Sequence, residues 1–88
     1  MTRHHQIIIS GKTEHSAFRL HAYMGAKKMN IRGEVSRKEN DVIIEAEGEE
    51  DALAAFESWC QEAPSNCIIE SFSIRYKELA GYEDFRIL

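Results

Sequence analysis

Alternating hydrophobic periods constrain this chain more than any other feature of its sequence. Segments in which apolar residues recur at every second position alternate with segments in which they recur every three or four positions. The shorter period is typical of strands and the longer one of helices. The predicted order from the N-terminus is β-α-β-β-α-β, an arrangement in which an antiparallel sheet carries both helices on one face.

Three strands are predicted in the first part of the chain. The first lies near residues 5–11, where Ile7 and Ile9 share a face, and the second runs from Ile31 to Arg37. The apolar residues that alternate in the third strand are Val42, Ile44 and Ala46.

The last third of the chain is predicted to be extended. Cys67 and Ile69 alternate, but the alternation changes phase before Phe72 and Ile74, and this change predicts a β-bulge. Residues 85–87 alternate again, so a short C-terminal strand can join the edge of the sheet.

Two amphipathic helices are predicted between the strands. The apolar stripe of the first helix consists of Phe18, Ala22, Ala26 and Met29. The second helix begins near the acidic residues 49–51, which favour the positive end of a helix dipole. Its stripe consists of Leu53, Phe56, Trp59 and Cys60, and we expect Phe56 and Trp59 to lie in the core.

Right-handed crossovers place the first and third strands at the centre of the sheet, which gives the strand order 4-1-3-2. The predicted fold class is therefore α+β, a ferredoxin-like α/β sandwich. The 88 residues are too few for more than one core, so we expect a single domain over residues 1–88.

Composition and charge argue against several functions. The net charge is −4 and the basic residues are dispersed, so no nucleic-acid partner is expected. No apolar run approaches the ~18 residues of a membrane span, and residues 1–5 lack the apolar segment of a secretion signal. His4 and His5 point to opposite faces of a strand, so we expect no metal site.

Two cysteines, Cys60 and Cys67, have a spacing that fits no metal or redox motif. We expect buried or half-buried thiols and a cytoplasmic location, with a local bridge across Pro64 as the alternative. The sequence does not specify the oligomeric state.

The segment from Gly11 to Arg19 is the strongest functional signal. It leaves a predicted strand and opens a predicted helix, so its main-chain N–H groups and the positive end of the helix dipole face the same way. Arg19 adds a planar fork suited to phosphate or carboxylate oxygens. These residues predict a site for a small anionic ligand.

Between about Gln6 and Ile87, the chain resembles the acylphosphatases. That family has a loop of the form G-R-V-Q-G-V-G-F-R, of which Gly11, Phe18 and Arg19 are present here at the same spacing. Further along, Gly33-x-Val35 and Phe85-x-Ile87 also follow in register.

The resemblance implies hydrolysis of acyl phosphates to carboxylate and phosphate, without a cofactor. It implies that Arg19 binds the phosphoryl group, and that the position of the family's water-orienting asparagine is occupied by Arg37. It also implies that the phosphate is bound by the main chain of the loop residues Glu14, His15, Ser16, Ala17 and Phe18.

Several positions depart from the family pattern. A guanidinium only donates hydrogen bonds, so Arg37 cannot accept a proton from the attacking water as an amide oxygen does. His15 and Ala17 replace loop glycines, which would cost roughly 1 kcal/mol each if those positions need φ > 0. Glu14 places a carboxylate near a site for anions. These departures predict weak or altered activity.

Alternative interpretations remain open from the sequence. Arg37 is as well explained by solvation or by a glutamate partner as by a role in ligand binding, and His15 fills space in a loop more readily than it acts as a base. The chain is then an acyl phosphate hydrolase, a catalytically inactive anion-binding protein, or a protein-interaction module on the same scaffold. An RNA-binding function is weaker, because the central strands carry Ile and Val in place of exposed aromatic residues.

Overall fold

A computed structural model describes residues 1–13, 17–64 and 66–88, and it confirms the predicted order of elements. The elements are β1 (Thr2–Lys12), α1 (Phe18–Lys28), β2 (Arg32–Lys38), β3 (Asp41–Glu49), α2 (Glu50–Gln61), β4 (Ile68–Lys77) and β5 (Phe85–Ile87). Each predicted strand and helix is present, and β1 is longer than the predicted residues 5–11.

The sheet has the order β4-β1-β3-β2-β5, which confirms the predicted central position of the first and third strands. β1 pairs antiparallel with both β3 and β4, and β2 pairs antiparallel with β3. The short strand β5 pairs parallel with β2 and forms the second edge of the sheet. The predicted ferredoxin-like sandwich is therefore correct, including its C-terminal edge strand.

The core lies between the sheet and the two helices. Apolar residues on one face of β1, β2 and β3 pack against the stripes of α1 and α2, because alternate strand residues point to the same face. The fully buried side chains include Ile7, Ile9, Phe18, Val35, Ile44, Leu53 and Phe56.

Trp59 is not a core residue, so this part of the prediction is wrong. Its indole ring is half-buried and lies against Gly25 of α1, where an added Cβ would stand 2.2 Å from Trp59 Cδ1. Trp59 Nε1 donates to the main-chain oxygen of His21 at 2.8 Å, and the two rings stack 5.0 Å apart. Trp59 therefore joins the outer surfaces of the two helices, because its indole N–H needs an acceptor that the apolar core lacks.

The predicted bulge is present in β4. Ser10 pairs with Ser71, but Gly11 pairs with Ile69, so Glu70 has no partner of its own in β1. Gly11 has a φ of 146°, and a Cβ at this position would lie 2.1 Å from the main-chain oxygen of Ile68. The first glycine of the predicted anion-binding segment is thus required for the close approach of β4.

Gly11→Ala is expected to destabilise the protein by about 2 kcal/mol, because the substitution combines an unfavourable φ with a main-chain clash. Urea unfolding followed by circular dichroism measures this change. Gly81→Ala is the matched control, since Gly81 also has a positive φ, of 82°, but an added Cβ there meets no atom within 4 Å. An equal loss of stability in the two variants would show that Gly11 is not required for the close approach of Ile68.

Both cysteines are thiols, as predicted, with Cys60 buried and Cys67 half-buried. Burial raises the pKa of the Cys60 thiol, and the neighbouring Glu57 carboxylate raises it further. Among the described residues, neither helix is long and apolar enough to cross a membrane.

Candidate anion-binding site

The carboxyl ends of β1, β2 and β5 meet at one end of the sheet. β1 and β2 are both antiparallel to β3 and therefore run in the same direction, and β5 is parallel to β2. α1 begins at this end, because only five residues separate Lys12 from Phe18. Of the predicted functional residues, Phe18 and Arg19 lie on α1 and Arg37 lies on β2.

The first turn of α1 favours a negative charge. Ala17 is the N-cap residue, and alanine has no side-chain oxygen to accept hydrogen bonds from the first N–H groups of the helix. The first turn has no acidic residue, while Lys27 and Lys28 occupy the last turn. An anion placed beside Ala17 and Phe18 would therefore be stabilised by the helix dipole.

Ala17 has a φ of −88°, which corrects one expectation from the sequence. A negative φ is accessible to any residue, so replacing the family's glycine with Ala17 adds no backbone strain here. The predicted phosphate ligands Glu14, His15 and Ser16 lie outside the described residues.

Arg19 lies in the first turn of α1 and is half-buried. Its Nη1 donates to the main-chain oxygen of Leu88, directly after β5, at 3.2 Å. Arg19 also lines a surface depression of ≈ 340 Å³ together with Ala17, Leu20 and Ile87. Its guanidinium is thus held beside the N-terminus of α1, and its remaining N–H groups can donate to an anion.

Arg37 lies near the carboxyl end of β2, on the face that Val35 presents to the helices. Its Nη1 donates to Thr13 Oγ1 at 2.8 Å, and its Nη2 donates to the Thr13 main-chain oxygen at 2.9 Å. Thr13 is fully buried and directly precedes the loop. Arg37 therefore holds Thr13, the last described residue before the loop, whereas the sequence favoured solvation or a glutamate partner as strongly.

A larger depression, of ≈ 430 Å³, lies at the other end of β1 and is lined by residues that include Arg3, His5 and Lys77. The size of this depression alone does not make it a functional site. Its cation Arg3 is already paired with Glu50 at 2.9 Å. His5 contacts Glu57 of α2, whereas His4 contacts Glu45 of β3, so the two imidazoles lie on opposite faces as predicted. Within residues 1–13, 17–64 and 66–88, no cluster of metal-binding side chains is present.

Glu47 is a buried carboxylate that the sequence did not reveal. It lies on the helix-free face of β3 with 1% of its surface exposed. It accepts hydrogen bonds from the main-chain N–H groups of Ala80, Gly81 and Tyr82. Burial by itself raises the pKa of Glu47, but these N–H groups and His4 outweigh it, so the pKa is lowered.

His4 supports the same arrangement from β1. Its Nε2 lies 2.7 Å from Glu45 Oε1, and its Nδ1 lies 2.8 Å from the main-chain oxygen of Glu78. Both partners are hydrogen-bond acceptors, so His4 connects β3 to the residue that directly follows β4. His4 and Glu47 together hold the β4–β5 connection, residues 78–84, as it crosses the sheet from one edge to the other.

The sequence model of the acylphosphatase family matches residues 5–87, nearly the whole chain. The chain belongs to the acylphosphatase family. Among curated relatives, the acylphosphatase of Thermotoga petrophila is 30% identical over 83 residues, covering 93% of this chain and 92% of the relative. The acylphosphatase of Syntrophus aciditrophicus is 28% identical and covers 100% of this chain and 94% of the relative.

Two solved structures share the fold. The Bacillus subtilis acylphosphatase superimposes with a TM-score of 0.94 at 28% identity, covering 100% of this chain and 99% of that one. Full-length HypF, in a phosphate- and nucleotide-bound form, matches with a TM-score of 0.96 at 32% identity, but only 12% of its chain is covered. The function of this chain is accordingly acylphosphatase-like.

Proposed function

We propose that this acylphosphatase-family chain hydrolyses acyl phosphates slowly, with Arg19 as the phosphate ligand. The position of Arg19 carries the proposal, because its guanidinium lies in the first turn of α1, where the carboxyl ends of β1, β2 and β5 converge. The helix dipole and the guanidinium there favour the same ligand, a compact anion.

The chemistry of an acyl phosphate suits so simple a site. Water attacks the phosphorus, the bond between phosphorus and the bridging oxygen breaks, and the carboxylate leaves with the bonding electrons. A carboxylate is a good leaving group, so no strong acid is needed to protonate it. Catalysis then requires neutralisation of the phosphoryl oxygens and orientation of the water.

The roles of the loop follow from this requirement. Arg19 neutralises two phosphoryl oxygens through its planar fork. The N–H groups of Ala17 and Phe18, at the start of α1, donate to the phosphate together with those of Glu14, His15 and Ser16. In this proposal the ligand is inorganic phosphate or an acyl phosphate. The cytoplasmic location expected from the two thiols stays a prediction.

Slow turnover follows from the contacts of Arg37. Two of its N–H groups donate to Thr13, so the side chain positions the start of the loop. The remaining N–H groups can donate to a water or a phosphate, but no atom of the guanidinium accepts a hydrogen bond. Arg37 therefore cannot accept a hydrogen bond from the attacking water. Without such an acceptor, the lone pair of the water is not directed at the phosphorus.

Arg37→Asn is expected to raise kcat for benzoyl phosphate by about tenfold, because an amide both donates to and accepts from the attacking water. Steady-state hydrolysis of benzoyl phosphate, followed by its ultraviolet absorbance, measures the change. Arg37→Ala is the matched control: it also removes the contacts with Thr13 but supplies no amide, so its kcat is expected to fall below that of the parent.

Three results would contradict this explanation. One is a gain in Arg37→Ala equal to that in Arg37→Asn, which would mean that the guanidinium merely obstructs the site. Another is a fast parent enzyme that gains nothing from the asparagine, since the water would then already be well oriented. The third is an asparagine variant that remains folded but no more active than the alanine variant.

Anion binding without turnover is the second candidate function. The contact between Arg37 and Thr13 favours it, because the side chain at the asparagine position is committed to the scaffold. Saturable binding of inorganic phosphate by a protein that hydrolyses no acyl phosphate, even as Arg37→Asn, would establish this alternative.

A further inference from the structure

An apolar patch lies directly beside Arg19. It consists of Leu20, Ile87 and Leu88, with exposed fractions of 50%, 43% and 56%. Leu20 follows Arg19 in α1, and Leu88 supplies the oxygen that accepts from the Arg19 guanidinium. Exposed apolar side chains that converge on one charged group mark a binding surface more often than scattered ones do.

Two residues of the patch, Leu20 and Ile87, line a depression of ≈ 340 Å³ together with Ala17 and Arg19. Its volume lies at the small end of the range for small-molecule sites, which is about 300–1,000 Å³. Arg19 is the one charged residue among these lining residues, and it lies next to the predicted phosphate position. A ligand with an anionic head and a short apolar body matches this distribution of charge.

We propose that this depression binds the acyl group of the substrate and that Leu20 and Ile87 select apolar acyl groups, such as an aromatic ring. The inference rests on the proposed function, because it places the phosphoryl group at Arg19. With the phosphorus there, the acyl group can extend over Leu20 and Ile87, while water reaches the phosphorus from the side of the loop and Arg37.

A protein partner is a poorer match for this surface. Stable protein interfaces bury roughly 800 Å² on each partner, which is far more than three side chains provide. Charged residues, including Glu83 and Arg86, precede Ile87 in the chain. The small area of the patch, and the presence of one cation among the described lining residues, therefore favour a small molecule.

Phosphonates test the proposal without requiring turnover, since their carbon–phosphorus bond is not hydrolysed. The affinities of methylphosphonate and benzylphosphonate are compared by calorimetric titration of the full chain. The parent protein is expected to bind benzylphosphonate about tenfold more tightly, because the ring buries apolar surface against Leu20 and Ile87.

Leu20→Gln and Ile87→Thr are expected to reduce this preference to about twofold or less, with the affinity for methylphosphonate unchanged. Met24→Gln is the matched control, because Met24 is 56% exposed on α1 but does not line the depression. It should retain the full preference. Circular dichroism of each variant shows whether the fold is intact.

The inference is overturned by equal affinities of the two phosphonates for the parent, by no binding of either, or by an equal loss of preference in Met24→Gln. Its failure is distinguishable from failure of the proposed function. A protein that prefers benzylphosphonate but hydrolyses no acyl phosphate contradicts only the proposed hydrolysis. A protein that hydrolyses acetyl and benzoyl phosphate equally well, and binds both phosphonates alike, contradicts only the apolar subsite.

Discussion

Arg19→Ala is expected to lower kcat/KM for benzoyl phosphate by about 10³-fold, because the site loses its one charged phosphate ligand on α1 and the bidentate geometry that goes with it. Arg19 is half-buried beside the N-terminus of α1, so water does not replace the guanidinium without loss. Initial rates at subsaturating substrate give kcat/KM directly.

Two variants make the Arg19 result specific. Arg19→Lys keeps the charge but not the planar fork. We therefore expect it to lower kcat/KM, but by less than Arg19→Ala does. Lys28→Ala removes an exposed cation from the opposite end of α1 and is expected to leave kcat/KM unchanged. An Arg19→Ala variant that is folded and within about threefold of the parent would exclude Arg19 as the phosphate ligand.

Glu47→Ala is expected to destabilise the protein by about 3–5 kcal/mol, because it leaves buried N–H groups without an acceptor and removes one of the two carboxylates that neighbour His4. The β4–β5 connection would lose its attachment to the centre of the sheet. Urea unfolding measures the change. Glu83→Ala, an exposed residue of the same connection, is the control and should cost about 0.5 kcal/mol or less.

The contribution of Glu47 depends on pH in a defined direction. Its pKa is lowered in the folded state, whereas an unperturbed glutamate has a pKa of about 4.3. The folded state thus binds fewer protons, and the stabilisation is complete above the unfolded pKa and lost as the pH falls through the folded pKa. The stability difference between the parent and Glu47→Gln should therefore shrink below about pH 4. A difference that stays constant down to pH 2 would contradict a charged Glu47.

Glu47 also links stability to the site. β5 follows the β4–β5 connection directly and carries Ile87, and Leu88 accepts from Arg19. Loosening the connection should therefore weaken substrate binding in Glu47→Ala at temperatures where most of the protein is still folded. Glu83→Ala should leave it unchanged.

The sheet and helices were predictable because their apolar residues repeat with a clear period. Ile7, Ile9 and Ile44 alternate without interruption, so the buried face of the central strands is fixed by the sequence. Even the bulge at Glu70 was evident, since one extra residue shifts the alternation by one position.

The β4–β5 connection was not predictable, because residues 78–84 have no apolar period. Glu47 occupies a position that normally points to solvent in a sheet with one covered face. Glu47 is buried because β4 and β5 lie at opposite edges of the sheet. The connection between these two strands must therefore cross the sheet above Glu47. This is a consequence of topology, and local sequence patterns do not contain it.

The candidate site was predictable in part. The spacing of Gly11, Phe18 and Arg19 indicated a strand, a loop and the start of a helix, and this arrangement is present. The contact between Arg37 and Thr13 depends on how far apart β1 and β2 lie, with β3 between them, so sequence position alone did not determine it.

Titration of ¹⁵N-labelled protein with inorganic phosphate, followed by amide chemical shifts, tests the central claim most directly. We predict saturable shifts of the amides of Ala17, Phe18 and Arg19 at millimolar phosphate, and their loss in Arg19→Ala. The amides at the start of α2, residues 50–52, should stay unchanged. Shifts of equal size at both helix starts, or none at the start of α1, would contradict an anion site beside Arg19.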